Sequence, residues 1–235
     1  MSQRRTFAVA IIVWALGSVA VANAAQGTRI DEVPMYGGMD RAQNLELKAG
    51  DEKFITEVTA QFGTREKASA KWVDQGFAFY RQDNLAMAMR RFNQAWLLNP
   101  SNPDVYWGFA SVLYDQEKYC EAKSMTDKAF AIGALQDGFL PDAAINYVGC
   151  ATQDRSLSVD ARDAMLKRSD ALFDQAYSSP AVRKEYTLFH WARAMYARGE
   201  YAMAWTKVAD YRRVTGKEFP SDFTRSLSRK MREPK

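Results

Sequence analysis

The feature that most constrains the fold is a regular spacing of small and aromatic residues between positions 72 and 100. This stretch reads WVDQGFAFYRQDNLAMAMRRFNQAWLLNP. Its first part has helical spacing, and the polar residues 82–84 form a short connection. The second part places its apolar residues on one helical stripe, and Pro100 ends it. A helix, a short turn, a second helix and a proline stop predict an antiparallel helical hairpin.

The small and aromatic positions of this hairpin resemble those of the tetratricopeptide repeat, a helix-turn-helix unit of about 34 residues. The matching positions, in register, are Trp72, Gly76, Phe79, Ala88, Phe92, Ala95 and Pro100. Gln75 departs from the leucine that is usual at its place. Small residues let the paired helices approach, and aromatic rings fill the space beside the crossing. Each hairpin then leaves an apolar face that only a neighbouring hairpin can cover.

The pattern recurs along the chain. Residues 103–134 form a second repeat, in which Thr126 and Ala134 depart from the pattern, and residues 184–216 form a fourth. Residues 139–152 and 160–177 are predicted to be the two helices of a degenerate third unit. The resemblance therefore implies an all-α fold, a right-handed solenoid of about four antiparallel helical hairpins over residues 64–216, with flanking helices.

Two flanking regions complete this predicted organisation. Residues 25–62 begin irregularly and end in a helix, at 48–62, that would cap the N-terminal side of the solenoid. Residues 217–235 contain a predicted capping helix at 220–232 and a basic tail. Such caps cover the apolar faces that the terminal hairpins leave open.

The first 24 residues have the character of a secretory signal peptide. Arg4 and Arg5 precede an apolar run at 7–21, and Ala22-Asn23-Ala24 supplies small residues at the cleavage site. The alternative is an uncleaved anchor, but the run is shorter than the ~20 residues that span a bilayer. We therefore predict a protein secreted across the inner membrane into the periplasm, with no stable membrane span after cleavage.

The chain has two cysteines, Cys120 and Cys150. An exported protein meets an oxidising compartment, and an even count suits one bridge. The repeats assign the two residues to adjacent helices, which favours a disulfide over two buried thiols.

Composition and motifs argue against several classes of function. The formal net charge is +4, and loss of the two signal-peptide arginines lowers it to +2 (4 − 2), too little for strong nonspecific nucleic-acid binding. The single histidine, His190, has no motif-linked nucleophile, and metal-ligand spacings and glycine-rich phosphate loops are absent from the sequence. We expect no catalytic residue, metal or cofactor. An enzyme that uses carboxylates or His190 on envelope polymers remains an alternative.

Recognition is the function that the resemblance favours. In tetratricopeptide arrays the first helices of successive hairpins line a concave groove, and the matching places here are rich in aromatic residues and arginine, as binding hot spots are. The predicted peptide-binding groove consists of Phe77, Tyr80, Arg81, Trp107, Tyr114, Asp115, Phe189, Arg193 and Tyr196. Ser111, Tyr186 and His190 map to the same face. Two alternatives remain: these aromatics pack on the N-terminal segment or a neighbouring hairpin, or residues 34–39 occupy the groove.

The predicted function is a non-enzymatic periplasmic scaffold that binds peptide segments of other envelope proteins in this groove. The alternative is a structural subunit of an envelope, secretion or pilus assembly complex. That subunit would use its convex face or its C-terminal cap, and the basic segment 221–235 motivates it.

Overall fold

A computed structural model describes residues 29–133 and 138–234, and the predicted signal peptide at 1–24 lies outside the described residues. Within these two ranges the chain forms α-helices and short 3-10 helices and no β-strand. The short 3-10 helices span Ile30–Glu32, Pro34–Gly38 and Arg41–Gln43. The α-helices are α1 (Leu45–Phe62), α2 (Arg65–Tyr80), α3 (Leu85–Leu98), α4 (Pro103–Asp115), α5 (Tyr119–Ile132), α6 (Phe139–Gln153), α7 (Val159–Ser178), α8 (Lys184–Ala197), α9 (Tyr201–Thr215) and α10 (Ser221–Lys230).

The helices pack as four consecutive hairpins in the described part of the chain. The pairs are α2 with α3, α4 with α5, α6 with α7, and α8 with α9. The predicted all-α hairpin solenoid is therefore confirmed. The degenerate third unit is also a hairpin, and its helices begin and end within one residue of the predicted bounds.

Local sequence explains where the helices begin. The Thr64 hydroxyl accepts the amide N–H of Lys67 at 3.2 Å and starts α2. Side chains of Asn84 and Ser158 accept amide hydrogen bonds in the same way at the starts of α3 and α7. Each cap satisfies a backbone donor that the first helical turn leaves without an internal partner.

Three of the four hairpins share one turn conformation. The left-handed residues are Asp83, Glu117 and Gly199, with φ of 59°, 61° and 79°. In each turn an amide bonds back to the carbonyl five residues earlier, at 3.0 Å for Asn84 and 2.9 Å for the other two. The first two left-handed residues are one repeat length apart in the sequence. The periodicity is therefore a property of the backbone as well as of the side chains.

The first hairpins meet around one aromatic ring. Phe92 of α3 is fully buried, and it lies against Gly76 of α2 and Gly108 of α4. A Cβ atom added to these glycines would lie 2.4 and 2.3 Å from the ring carbon Cε1. Because contacts that close do not occur, both helices need glycine at the crossing.

Flanking elements cover both ends of the solenoid. At the N-terminal end α1 packs on α2, where Trp72 contacts the rings of Phe54 and Phe62. At the C-terminal end α10 packs on α9; Leu227 is fully buried, and the Trp205 indole donates to the carbonyl of Met231 at 2.9 Å.

The N-terminal 3-10 segment packs on α3, the second helix of the first hairpin. The buried amide of Asn93 donates to the carbonyls of Asp31 and Val33, each at 2.9 Å, and accepts the N–H of Tyr36 at 3.3 Å. Residues 34–38 therefore lie against a second helix and away from the first helices that form the predicted groove. Among the described residues no helix combines the length and apolarity needed to cross a membrane.

Candidate functional site

The first helices of the four hairpins form a continuous row. Helix α2 contacts α4, α4 contacts α6, and α6 contacts α8. We call these four helices the inner row. A pocket of about 210 Å³ opens on it, and we call this the inner pocket. Its aromatic and charged lining consists of Tyr80, Tyr114, Asp115, Tyr119, Asp142, Tyr186, His190 and Arg193.

Asp142, near the start of α6, connects three helices of the inner row. Its Oδ2 accepts the Trp107 indole N–H of α4 at 2.8 Å, and its Oδ1 accepts the Tyr186 hydroxyl of α8 at 2.5 Å. Burial raises the pKa of Asp142 to about 6, and the negative charge of Asp115 adds to this. The two donated hydrogen bonds stabilise the carboxylate and oppose the increase, but the loss of hydration outweighs them.

Asp115 and Tyr80 lie beside Asp142 in the pocket wall. Burial raises the pKa of the Tyr80 phenol, and hydrogen bonding to Asp115 and the charges of Asp115 and Asp142 raise it further. Among the described residues no Lys, Arg or His nitrogen lies within 4.0 Å of either carboxylate. We call this part of the pocket, with Tyr80, Asp115, Asp142 and Tyr186, the acid end.

Arg193 and His190 of α8 also line the pocket. The Arg193 guanidinium lies over the ring of Phe189, 5.3 Å from its centroid. Burial, and secondly the positive charge of Arg193, lower the pKa of His190 to about 4, so this imidazole is neutral near pH 7. Its ring packs edge-on against Tyr186, at a centroid distance of 4.3 Å.

The inner pocket brings together four of the residues predicted from the sequence to form a groove. Tyr80, Tyr114, Asp115 and Arg193 all line it. Arg81, the C-cap of α2, is exposed and is not part of the lining.

The other predicted groove residues pack against neighbouring elements. Phe77 and Trp107 contact each other at a ring distance of 4.8 Å and lie between inner-row helices. Their second contacts are with Phe92 and Phe139, respectively. At the C-terminal end, Phe189 stacks on Phe219 at 5.5 Å, and Tyr196 contacts Phe223 at the same distance. For Phe77 and Trp107 this is the alternative of packing on a neighbouring hairpin. The C-terminal segment that covers Phe189 and Tyr196 was not among the alternatives considered from the sequence.

Asp142 is the charged pocket residue that was not predicted from the sequence. The third unit lacks the repeat pattern, so no groove positions were assigned to it. A weaker signal was present, because Pro141-Asp142 repeats the Pro103-Asp104 pair that starts α4. When the two sequences are aligned on that pair, Ile145, Gly149 and Thr152 fall at the positions of Trp107, Ser111 and Tyr114. All three of these α6 residues line the pocket.

A disulfide borders the inner pocket. As predicted, Cys120 and Cys150 are joined, and the bond links the start of α5 to the second half of α6. Their neighbours Tyr119 and Gly149 line the pocket. A Cβ atom on Gly149 would lie 2.7 Å from Cδ1 of the Tyr119 ring, so this wall is closely packed. In the ranges that the structure describes, no cluster of His, Cys, Asp or Glu could hold a metal ion.

Comparisons with models of known protein families, with curated proteins and with solved structures found no match.

Proposed function

We propose that this protein is a periplasmic, non-enzymatic binding module of the tetratricopeptide type that holds a segment of a partner protein on its inner row. The observation that carries the proposal is that all four inner-row helices contribute side chains to one pocket. Solenoids use such shared concave surfaces to bind extended chains. The recurrence of the turn at Asp83 and Glu117 supports the family assignment.

Binding accounts for the polar side chains of the pocket better than catalysis does. Both oxygens of Asp142 accept hydrogen bonds that connect α4, α6 and α8, which is a positioning role. The Ser111 hydroxyl donates to the carbonyl of Trp107 at 3.0 Å instead of to His190. A nucleophile activated by a base would need that second contact.

Export to the periplasm is the part of the proposal that concerns location. The signal-like residues 1–24 and the disulfide between Cys120 and Cys150 both suit an oxidising compartment. Fractionation of cells that express the full chain tests this. Recovery of the processed, oxidised protein in the periplasmic fraction supports export, and a full-length, reduced cytoplasmic product contradicts it.

Selection of peptides from a random display library on the folded, oxidised protein tests the binding function. We expect enriched sequences that lose about tenfold in affinity, about 1.4 kcal/mol, on Tyr114→Ala or Arg193→Ala. Arg155→Ala is the matched control, because Arg155 is exposed in the α6–α7 connection and does not line the pocket. Failure to enrich any sequence, or equal binding to all three variants, contradicts the proposal.

The assembly-subunit alternative has one supporting observation, the basic outer face of α10. Arg225, Arg229 and Lys230 are exposed, whereas Leu227 is buried against the solenoid. Deletion of the segment would uncover that apolar contact and destabilise the chain. The double charge reversal Arg225→Glu/Arg229→Glu is therefore the sharper test: size-exclusion chromatography of cell extracts should show loss of a large complex if this face is used.

A further inference from the structure

The acid end of the inner pocket carries two carboxylates that form no ion pair with a described residue. Asp115 is exposed at the end of α4, and Asp142 lies deeper, near the start of α6. They are close enough that the charge of Asp115 raises the pKa of Asp142. No basic nitrogen of a described residue lies within 4.0 Å of either group. No ion pair with a described residue therefore neutralises the negative charge of this end.

Aromatic rings surround this charge. The lining tyrosines come from three inner-row helices and from α5, and they are Tyr80, Tyr114, Tyr119 and Tyr186. Burial is the largest cause of a raised pKa at all four phenols, so they stay neutral at physiological pH. Ring faces attract cations, and neutral phenol oxygens can accept hydrogen bonds from them.

The remaining polar groups of the pocket leave the acid end negative. Helix α8 supplies Arg193, whose charge acts on Tyr114 and His190 and which lies over Phe189. His190 is neutral, because burial and Arg193 lower its pKa to about 4. Asn146, Thr152 and Gln153 of α6 are uncharged. Among these lining residues there are two carboxylates and one guanidinium, and that guanidinium forms no ion pair within 4.0 Å with either carboxylate.

The volume of the pocket limits what enters it. About 210 Å³ is below the 300–1,000 Å³ usual for drug-sized ligands. It suits one side chain of an extended segment, with the rest of the segment lying along the inner row.

We propose that the acid end of the inner pocket binds the side chain of a lysine or arginine, between the carboxylates of Asp115 and Asp142 and the tyrosine rings. The inference rests on the proposed function for the source of that side chain, a segment of a partner protein. The recognition itself depends only on charge complementarity and on cation–π contact.

Small amino-acid derivatives test the recognition without a peptide. The probes are Nα-acetyl-lysine N-methylamide, its arginine analogue, the neutral norleucine analogue and the anionic glutamate analogue. Each is titrated into the oxidised protein at pH 7.5 and followed by amide chemical shifts. We expect the two cationic probes to shift amides of the inner pocket and to bind about tenfold more tightly than norleucine, a difference of about 1.4 kcal/mol.

Matched variants connect that binding to the acid end. Asp115→Asn should weaken the lysine probe about fivefold or more, because it removes one carboxylate and preserves shape. Asp163→Asn, in an exposed position of α7 away from the pocket, should leave binding unchanged. Acidification from pH 7.5 to 5 should also weaken the probe, because it protonates Asp142 while His190 remains mostly neutral.

The inference would be overturned by equal binding of norleucine and lysine, by preference for the glutamate probe, or by no effect of Asp115→Asn. Absence of binding by every probe would overturn it as well. The peptide selection tests the proposed function separately from this inference. Selected peptides that bind the pocket without a basic residue leave the proposed function standing and refute this inference. A lysine probe that binds when no peptide does gives the reverse result.

Discussion

The first and third hairpins are held to their neighbours by different physical means. Between α2, α3 and α4, the ring of Phe92 fills a crossing that Gly76 and Gly108 leave open, so the contact depends on shape. Around α6, polar and covalent contacts are added to the apolar packing. Asn146 donates to the Thr126 hydroxyl at 2.9 Å, and Asp142 accepts from two other helices.

The turns of the first and third hairpins also differ. The first, second and fourth hairpins use a left-handed residue, at Asp83, Glu117 and Gly199. The third uses a longer connection, in which Ser156 donates its amide to Asp154 at 2.8 Å and Ser158 caps α7. The third hairpin keeps its place in the solenoid although it has lost the repeat pattern.

This difference shows that the repeat motif describes the shape complementarity between helices and does not describe the polar contacts between hairpins. Thr126 is a departure from the pattern in the second repeat, and its hydroxyl is the partner of Asn146 in the third. The departure at Thr126 therefore has a polar partner across the interface between the two hairpins. The hairpin that deviates most also supplies Asp142 to the inner pocket, so the loss of the motif coincides with the candidate site.

The largest effect should come from removing the covalent link of the third hairpin. The double variant Cys120→Ser/Cys150→Ser opens a loop with a sequence separation of 30 residues. In the chain-entropy estimate this lowers the free energy of unfolding by about 3–4 kcal/mol. Urea denaturation measures it, and reduction of the wild type should give the same value. A loss below ~1 kcal/mol would mean that the polar contacts suffice to hold α6.

The next effect concerns the shape-dependent crossing of the first hairpins. Gly108→Ala places a methyl group 2.3 Å from the Phe92 ring and should lower the free energy of unfolding by about 2–3 kcal/mol, the cost of overpacking. Adding Phe92→Leu, which shortens the side chain at the collision, should recover part of that loss. An additive double variant in urea denaturation would show that Phe92 is not the obstacle.

The hydrogen-bonded carboxyl group of Asp142 in the third hairpin should make the stability of the protein depend on pH. The folded-state pKa of Asp142, about 6, lies above its ordinary value of 3.8, so the folded protein binds the extra proton between these values. Its contribution to stability is therefore full below pH 3.8 and is lost as pH rises through 6. Relative to Asp142→Asn, the wild type should lose on the order of 2 kcal/mol between pH 4 and 7.5. Thermal and urea unfolding of both proteins at each pH give this difference, and parallel profiles would refute it.

His190 should affect stability with the opposite pH dependence. Its folded-state pKa of about 4 lies below the ordinary 6.5, so the unfolded chain binds the proton between these values. Its contribution is present above pH 6.5 and is lost as pH falls through 4. The two effects oppose each other in the wild type and therefore partly cancel over this range. His190→Gln should make the increase of stability on acidification visible, and an unchanged profile would count against the burial of this imidazole.

The sequence was sufficient for the helices and for part of the pocket. Apolar spacing and side-chain caps such as Thr64 define helix bounds locally, so even the degenerate α6 and α7 were predicted within one residue. Tyr80 and Tyr114 followed from the repeat register, because that register decides which face of a first helix is inward.

The rest of the pocket depends on distances between hairpins, which local spacing does not contain. Trp107 is on the expected face, but its indole reaches across to Asp142 and Phe139 and becomes part of the packing. Phe189 and Tyr196 were expected to be open, and the segment from Phe219 onward folds over them. The position of a terminal cap is set by the complete end face of the solenoid.

The smallest effect separates side-chain shape from backbone conformation at two glycines. Gly50, in α1, and Gly216, after α9, both have open space where a Cβ would lie. Gly50→Ala should therefore stabilise by about 0.5–1 kcal/mol through helix propensity. Gly216 has φ of +67°, so Gly216→Ala should destabilise by roughly 1 kcal/mol or more. Hydrogen exchange of amides in α1 and α9 resolves both changes. If Gly50→Ala destabilises α1, the space beside Gly50 is occupied in solution. Gly50 would then no longer serve as the open-space control for Gly108, and the cost of Gly108→Ala could not be assigned to the Phe92 ring by this comparison.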